Sequence, residues 1–313
     1  MFEVVGLNAG YEFRHKFVHA VRNVSFKVEE QDFFGIAGES GCGKTTLMFA
    51  SLALLKKPGK VISGRVLLDG TDLLSLRASE LKQVRWKKIS LVTQSSMNSL
   101  NPVMKIKDQM ADVLIRNHGF SKKDAYELVK EKLKLVGIAP ERMENYPHQL
   151  SGGMRQRVVI AMALLLSPRV VFMDEPATAL DVVVQRSILQ QIEDLREREH
   201  FSIVFITHDI SLLFELATKI AIMYAGEFVE VGKAKTVYSE PMHPYTKGLI
   251  EALPSISRDL DRYKSIPGRP IDLALKIEGC PFRERCSFAF ERCRVEKPEL
   301  RFINGRWVAC HLY

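Results

Sequence analysis

The sequence has no long apolar run. Its longest apolar stretches, such as residues 158–166, fall well short of the about 18 residues that a membrane-spanning helix needs. Strand-like residues begin at the N-terminus without a secretory signal, so we expect a cytosolic protein. Segregated charge is also missing: the net charge is +8, but the 45 lysines and arginines are interspersed with 37 acidic residues. With no aromatic-basic module present, this balance indicates a solvated surface, aided by contact with an anionic membrane face, rather than nucleic-acid binding.

Cysteine is nearly absent until the C-terminal end of the chain. Four of the five cysteines lie there, at Cys280, Cys286, Cys293 and Cys310, and the fifth is Cys42. A reducing cytosol disfavours two disulfides, so four thiols in a short segment favour a metal or cluster site. Their spacing is wider than that of usual zinc pairs and does not match ferredoxin spacings, which leaves unliganded buried thiols as the alternative.

A glycine-rich loop carries the first chemical signal. It consists of Gly38, Glu39, Ser40, Gly41, Cys42, Gly43, Lys44, Thr45 and Thr46. Its glycines let successive backbone N–H groups turn toward a phosphate chain. Lys44 can reach the β- and γ-phosphates of a nucleotide, and the Thr45 hydroxyl can bind Mg²⁺. Residues 33–37 predict a buried strand before the loop and residues 45–55 predict a helix after it, which is the context that a phosphate-binding loop requires.

An acidic pair follows a second apolar segment. Residues 170–173 suit a strand that is buried on both faces, and Asp174, Glu175 and Pro176 follow directly. A carboxylate at the C-terminal end of a parallel strand points into the ligand crevice. We therefore expect Asp174 to hold Mg²⁺ through water and Glu175 to orient or deprotonate an attacking water.

A Ser-Gly-Gly sequence precedes another predicted helix. Within residues 150–154, the N–H groups of Gly152 and Gly153 and the hydroxyl of Ser151 lie at the positive end of the helix dipole, where a phosphate is well placed. The alternative interpretation is an ordinary loop that caps an ordinary helix.

Taken in order, these motifs resemble those of the ATPase subunit of ATP-binding cassette (ABC) transporters. The matching positions are residues 38–45 (Walker A), Gln94 (Q-loop), residues 150–154 (signature), residues 170–175 (Walker B), residues 179–181 (D-loop, ending at Asp181) and residues 206–209 with the switch histidine His208. The resemblance covers residues 1–255. It implies an α/β fold of the P-loop NTPase class, with a RecA-like core, an antiparallel β subdomain and a helical subdomain at about residues 95–157.

The resemblance also assigns roles. Glu175, His208 and Gln94 become the catalytic group, in which Gln94 contacts Mg²⁺ or the attacking water and His208 points toward the γ-phosphate of ATP. Tyr11 matches the aromatic residue that stacks on adenine, although Phe13 competes for this role and a core aromatic is a third interpretation. Relatives often carry serine at the position of Cys42, so we expect the Cys42 contribution to be mainly backbone.

The same resemblance implies that nucleotides are shared between two chains. In ABC ATPases the signature loop closes on the nucleotide held by a second ATPase subunit, so Ser151, Gly152, Gly153 and Asp181 are predicted to serve the partner's site. That partner is either a paralogue or another copy of this chain.

Two further segments narrow the subfamily. Residues 95–102, which end in Ser-Leu-Asn-Pro, and residues 243–246, His-Pro-Tyr-Thr, resemble oligopeptide and dipeptide importer ATPases. This implies two membrane permease subunits that dock on residues 95–102, an external solute-binding protein, and a position on the cytoplasmic face of the membrane. The resemblance implies a peptide or a related oligosaccharide as the transported solute, and the sequence does not distinguish a peptide, a sugar or a metal chelate.

The subfamily also bears on the C-terminal cysteines. Its members bind a [4Fe–4S] cluster through this cysteine pattern, so the resemblance predicts a cluster in a cysteine-rich extension, residues 256–313. A different class of function is a soluble ABC ATPase that acts on DNA or the ribosome. Such proteins usually have two cassettes or a long coiled-coil insertion, and the sequence has neither.

Local patterns complete the predicted fold. Residues 2–30 and 61–92 predict an antiparallel sheet, and residues 33–55 and 158–232 predict the parallel core. Helices are predicted at residues 106–118 and 122–136, the second capped by Ser121.

Overall fold

A computed structural model of the chain describes residues 1–14, 16–94, 99–176, 181–253, 266–275 and 277–313. The chain divides into two units: the first contains residues 1–28, 32–74 and 205–313, and the second contains residues 29–31 and 75–204. Three predictions fall on residues outside this description: the permease-docking residues 95–98, D-loop residues 179–180, and the boundary at residue 255. Within the described ranges, no helix combines the length and apolar character needed to cross a membrane.

The secondary structure alternates between strands and helices along most of the chain. The strands are β1 (Phe2–Phe13), β2 (Lys16–Val28), β3 (Phe33–Ala37), β4 (Gly59–Leu68), β5 (Thr71–Asp72), β6 (Ile89–Val92), β7 (Val170–Asp174), β8 (Ser202–Ile206), β9 (Lys219–Tyr224), β10 (Glu227–Lys233), β11 (Arg301–Ile303) and β12 (Arg306–Val308). The helices are α1 (Lys44–Ser51), α2 (Ala78–Val84), α3 (Ile106–His118), α4 (Lys122–Leu135), α5 (Gly152–Ala163), α6 (Val182–Glu199), α7 (Ile210–Leu216), α8 (Ala234–Ser239), α9 (Pro244–Glu251) and α10 (Glu291–Val295). Short 3₁₀ helices cover Pro140–Glu144, Pro147–Gln149 and Arg283–Arg285.

The first unit contains two sets of strands. An antiparallel sheet has the order β2-β1-β4-β5, and a second set has the order β11-β12-β10-β9-β3. All five residues of β3 are buried, as expected for an apolar strand covered on both faces, and β3 runs parallel to β9. Strand β10 runs antiparallel to both β9 and β12. The C-terminal hairpin β11-β12 therefore extends the set of strands that includes β3, which leads into the glycine-rich loop.

The second unit combines helices with strands β6 and β7, which pair in parallel, and with the first three residues of β8. Helix α3 has the predicted bounds, and α4 ends one residue before its predicted end. The predicted cap of α4 is confirmed, because the Asp124 N–H donates a hydrogen bond to the Ser121 hydroxyl oxygen at 3.2 Å. Apolar residues at helical spacing face inward along both helices, which explains why this part of the fold was predictable.

Two predicted elements were wrong in part. Within residues 61–92 only β4 and β5 join the antiparallel sheet; α2 follows, and β6 pairs in parallel with β7. The Glu80 carboxylate accepts a hydrogen bond from the Arg77 N–H at 2.8 Å, which starts a helix where alternation predicted a strand. The helix predicted over residues 45–55 ends at Ser51, and Ala53 then adopts a left-handed backbone with φ of 51°.

Candidate active site

The glycine-rich loop of the first unit leaves no room for side chains at two of its glycines. A Cβ atom on Gly43 would lie 2.2 Å from the Ala20 carbonyl oxygen, and one on Gly38 would lie 2.2 Å from the Met223 carbonyl oxygen. Both residues also have positive φ values, +111° and +155°. The loop is thus a backbone cradle that packs closely against neighbouring strands and needs glycine at these two positions, and loops of this kind bind phosphate groups through their N–H groups.

Lys44 is buried, and its side chain donates hydrogen bonds to earlier residues of the same loop. Its ammonium group donates to the carbonyl oxygens of Gly38 at 2.7 Å and Glu39 at 2.9 Å. It also lies 3.7 Å from the Cys42 sulfur, so the Cys42 side chain contributes a contact that the sequence had assigned mainly to its backbone. Burial raises the pKa of the Cys42 thiol, which keeps it neutral beside Lys44.

The residues beside the loop include the predicted adenine contact. The hydroxyl groups of Tyr11 and Thr46 lie 3.1 Å apart, which ties Tyr11 to the first turns of α1. Phe13, its competitor for adenine stacking, is 54% exposed. Thr45 is exposed at the start of α1, where its hydroxyl is accessible to a metal ion bound with phosphate.

His208 is exposed in the turn between β8 and α7. The residues on either side define the geometry of this turn. The Asp209 N–H donates to the Thr207 hydroxyl oxygen at 3.0 Å, and the Asp209 carboxylate caps α7 by accepting from the Leu212 N–H at 3.2 Å. His208 therefore lies just beyond the end of β8, and its direction toward the γ-phosphate stays a prediction.

The second unit brings together two of the three predicted catalytic residues. The Gln94 side-chain amide donates to the Glu175 carboxylate at 2.8 Å. Asp174 is buried at the end of β7, directly before Glu175. Glu175 adopts a left-handed backbone with φ of 47°, which is rare for a residue with a long side chain and is common at functional sites.

The signature residues form the N-terminus of α5. Ser151 is exposed, and its hydroxyl accepts a hydrogen bond from the Met154 N–H at 3.3 Å, so the residue is a helix cap as well as a candidate phosphate contact. Asp181 caps α6 in the same way, accepting from the Val184 N–H at 3.0 Å. A Cβ on Gly153 would lie 3.1 Å from a Val184 methyl group, so the signature and the end of the D-loop meet at Val184, a contact that short motifs do not encode.

The four C-terminal cysteines are all free thiols. Burial, and after it the thiols of Cys293, Cys310 and Cys286, raises the pKa of Cys280 to about 11. Across the described residues, no group of three or more histidine, cysteine, aspartate or glutamate side chains is arranged to hold a metal ion. This geometry does not support the predicted cluster.

Comparisons with known proteins agree with the motifs. Residues 21–178 match the family model described as ABC transporter, and residues 229–293 match the one described as oligopeptide/dipeptide transporter, C-terminal region. The dipeptide transport ATP-binding protein DppD of Caldanaerobacter subterraneus is 42% identical over 317 residues, which cover 100% of this chain and 97% of the relative. The oligopeptide transport ATP-binding protein OppD of Salmonella typhimurium is 41% identical over 295 residues, 94% of this chain and 88% of the relative.

A solved structure supports the fold. The dimeric structure of a post-hydrolysis state of the ATP-binding cassette MJ0796, bound to ADP and Pi, superimposes with a TM-score of 0.65. It is 28% identical and covers 75% of this chain and 99% of that chain. The fold is thus the ABC cassette, and the chain belongs to the ABC transporter family, in its group of dipeptide and oligopeptide transport ATP-binding proteins.

Proposed function

We propose that the chain is the ATP-hydrolysing subunit that powers import of dipeptides or oligopeptides through a membrane ABC transporter. The observation that carries this proposal is the Gln94–Glu175 pair at 2.8 Å, which joins the predicted glutamine and glutamate of ATP hydrolysis in a chain that also matches the oligopeptide/dipeptide C-terminal region. The relatives are named as transport proteins, which favours transport over an ATPase that acts on nucleic acid.

The loop of the first unit would bind the phosphates of ATP. Backbone N–H groups of the loop are proposed to donate to the phosphates, and Lys44 would leave its carbonyl partners to contact the β- and γ-phosphates. Mg²⁺ neutralises phosphate charge when it is bound, and the family motifs propose Thr45 and Asp174 as the residues that would hold it. Tyr11 is proposed to contact adenine.

Glu175 is proposed to orient the attacking water and to accept its proton. The Gln94 amide fixes one carboxylate oxygen of Glu175, so the carboxylate is held by a neighbour that carries no charge. His208 is proposed to stabilise the charge that develops on the γ-phosphate. Positioning and charge neutralisation supply most of the rate enhancement in phosphoryl transfer, and these residues provide both.

The assembly is proposed from the family. Ser151, Gly152, Gly153 and Asp181 would complete the nucleotide site of a second ATPase subunit, a paralogue or a copy of this chain. The dimer would work beneath two permease subunits on the cytoplasmic face of the membrane, supplied by an external solute-binding protein. The domain division proposed from the sequence, an ATPase at residues 1–255 and an extension at residues 256–313, is retained.

A reconstituted transporter tests this proposal. With the permease subunits in vesicles, peptide-loaded binding protein should stimulate ATP hydrolysis, and Glu175→Gln should keep ATP binding while turnover falls by about 100-fold or more. Glu291→Gln makes the same change at an exposed glutamate and should leave turnover unchanged. Full hydrolysis by Glu175→Gln would refute the role of Glu175, and stimulation by sugars but not by peptides would refute the solute class.

The [4Fe–4S] cluster is kept as a separate proposal. Its support is the subfamily cysteine pattern of Cys280, Cys286, Cys293 and Cys310. Iron and acid-labile sulfide should be measured in protein purified without oxygen, with Cys42→Ser as the control that leaves the C-terminal thiols intact. Absence of both elements from the wild-type protein would remove the cluster.

A further inference from the structure

The C-terminal region, here residues 229–293, contacts the glycine-rich loop at Glu39. Motif matching treats Glu39 as a spacer between Gly38 and Ser40. In the structure its carboxylate accepts two hydrogen bonds from the Arg285 guanidinium, at 2.6 Å and 2.8 Å. Its N–H donates to the Tyr245 hydroxyl oxygen at 2.9 Å, and its carbonyl oxygen accepts from Lys44 at 2.9 Å. One loop residue thus joins two C-terminal side chains to the Walker A lysine.

Arg285 is firmly held in this position. Its side chain is 4% exposed, and its Nε atom donates to the Pro267 carbonyl oxygen at 2.8 Å. The guanidinium lies 5.9 Å from the ring centres of both Tyr224 and Phe282. The hydrogen bonds to Glu39 raise the pKa of Arg285 above its ordinary value, so the positive charge is permanent. A buried, two-pronged pair of this kind fixes orientation as well as charge.

Tyr245 is held by the His-Pro-Tyr-Thr segment. The buried carboxylate of Glu230 accepts hydrogen bonds from the N–H groups of Met242 at 3.0 Å and His243 at 2.9 Å. The His243 ring nitrogen Nδ1 then accepts from the Tyr245 N–H at 3.0 Å, which starts α9. Tyr245 is fully buried against Tyr224, with ring centres 4.7 Å apart. The segment therefore delivers one hydroxyl to the backbone of the loop.

The negative charge of Glu39 must be neutralised if the loop is to bind phosphate. A carboxylate in a loop that binds phosphates repels the anion unless a cation neutralises it. Lys44 is engaged with backbone carbonyls and is the group that meets the phosphates, whereas Arg285 pairs with the carboxylate directly. Lys44 is thus available to the phosphates of the ligand, and Arg285 neutralises the carboxylate of the loop.

We propose that Arg285 and Tyr245 are positioning residues for the phosphate-binding loop, so that the C-terminal region sets the affinity of the chain for ATP. Arg285 neutralises Glu39, and Tyr245 holds the Glu39 backbone whose carbonyl oxygen contacts Lys44. This inference rests on the proposed binding of ATP by the loop, and it adds two residues that lie outside every nucleotide motif.

A charge-rescue experiment tests Arg285. Equilibrium binding of ATP with Mg²⁺ to the full chain is measured for the wild type, Arg285→Ala, Glu39→Gln and the double variant. Arg285→Ala should weaken binding roughly tenfold, because an unpaired carboxylate then faces the phosphates. Glu39→Gln should bind as tightly as the wild type or more tightly, and the double variant should recover most of the loss. The control is Arg292→Ala, which breaks a similar pair with Glu296 at the surface of the same region and should bind normally.

The outcomes separate the inference from the proposed function. If the wild type and Arg292→Ala bind ATP but Arg285→Ala binds equally well, or if Glu39→Gln does not rescue Arg285→Ala, the inference is overturned. If the wild type itself does not bind ATP, the proposed function fails instead. A packing role for Arg285 would not be rescued by removing the charge of Glu39, so rescue supports neutralisation.

A second variant covers the case in which Arg285→Ala does not fold. Tyr245→Phe removes only the hydroxyl group and keeps the ring packing, so its thermal unfolding temperature should stay close to that of the wild type. ATP binding should weaken by about threefold, because the Glu39 N–H loses its acceptor. The control is Tyr126→Phe, which removes a hydroxyl from α4, where it donates to Asp108, and should bind ATP normally. Wild-type affinity in Tyr245→Phe would overturn the role of Tyr245.

Discussion

The glycine-rich loop of the first unit and three predicted contacts of the second differ in how they are presented. In the loop, Lys44 is buried, Gly38 and Gly43 lie against backbone carbonyls, and Glu39 is held from two sides. In the second unit, Gln94, Ser151 and Asp181 are exposed. The loop is thus fixed by contacts within its own unit, whereas these three residues are presented to solvent. This difference predicts that changes in the loop alter ATP affinity and that changes at Gln94 and Ser151 alter turnover.

The largest expected effect is a change in the cradle itself. Gly43→Ala should reduce ATP affinity by about 100-fold or more, because its Cβ would lie 2.2 Å from the Ala20 carbonyl oxygen and its φ is +111°. The control is Gly41→Ala, where φ is +78° but no atom lies within 4 Å of the Cβ, so only backbone strain of about 1–2 kcal/mol is added. Titration of ATP against both variants checks this. Equal affinities would show that close approach does not define the cradle.

Substitution of Gln94 in the second unit is expected to lower ATP turnover without changing the affinity for ATP. Gln94→Ala removes the amide that donates to the Glu175 carboxylate and should lower kcat by about 10–100-fold while the ATP dissociation constant stays within about twofold. Gln190→Ala, which removes an exposed amide from α6, is the matched control. Single-turnover hydrolysis and ATP titration together measure the two quantities. A Gln94 variant that loses affinity instead would remove the contrast between the units.

Two helix-capping serines, Ser151 in the signature and Ser121 at α4, separate an effect on stability from an effect on ATP hydrolysis. Ser151→Ala and Ser121→Ala each remove a hydroxyl that accepts a backbone N–H, so each should cost about 1 kcal/mol of unfolding free energy. Only Ser151→Ala should also lower hydrolysis, by about tenfold, because Ser151 is proposed to contact the partner's nucleotide. Hydrolysis per subunit should rise with protein concentration in the wild type. An equal effect of both substitutions would reduce Ser151 to a cap.

The smallest expected effect is a pH dependence in the support of the loop. Burial lowers the pKa of His243 to about 3, whereas the unfolded residue titrates near 6.5. The His243 side chain therefore binds a proton in the unfolded chain but not in the folded chain. The free energy of unfolding consequently falls as the pH drops from 6.5 toward 3. This residue should account for a loss of about 0.8 kcal/mol between pH 7.5 and pH 6.0.

Denaturant unfolding of the wild type and His243→Asn measures this contribution of His243 to the free energy of unfolding. Asparagine keeps a cap acceptor for the Tyr245 N–H but does not titrate, so its stability should change less over the same interval. Identical pH profiles for the two proteins would contradict a buried neutral histidine.

Much of the fold was predictable because its signals are local. Helix α3 shows an apolar face at helical spacing, β3 is a short apolar run before a glycine-rich loop, and Ser121 is a cap beside its helix. The failure at α2 has a local cause as well. Seven residues with no buried side chain carry little pattern, and the hydrogen bond from the Arg77 N–H to the Glu80 carboxylate outweighed the alternation expected there.

The site was predictable in part for the same reason. Gln94 and Glu175 each belong to a short motif, and the structure shows that they meet. Arg285 and Tyr245 were missed because their partner, Glu39, lies 246 and 206 positions away along the chain. A single sequence gives no measure of such distant pairs. The only signal was a charged residue that the loop motif does not require.

Arg285 emerges from the ribosome long after the loop that it contacts. The 246 positions between Glu39 and Arg285 take on the order of ten to fifty seconds to synthesise at typical ribosomal rates. During that interval the carboxylate of Glu39 has no Arg285 to pair with, and the loop is in its least favourable form for an anion. On the role proposed for Arg285, tight capture of ATP is delayed until the chain is nearly complete, so an unfinished cassette does not compete with finished ones for nucleotide.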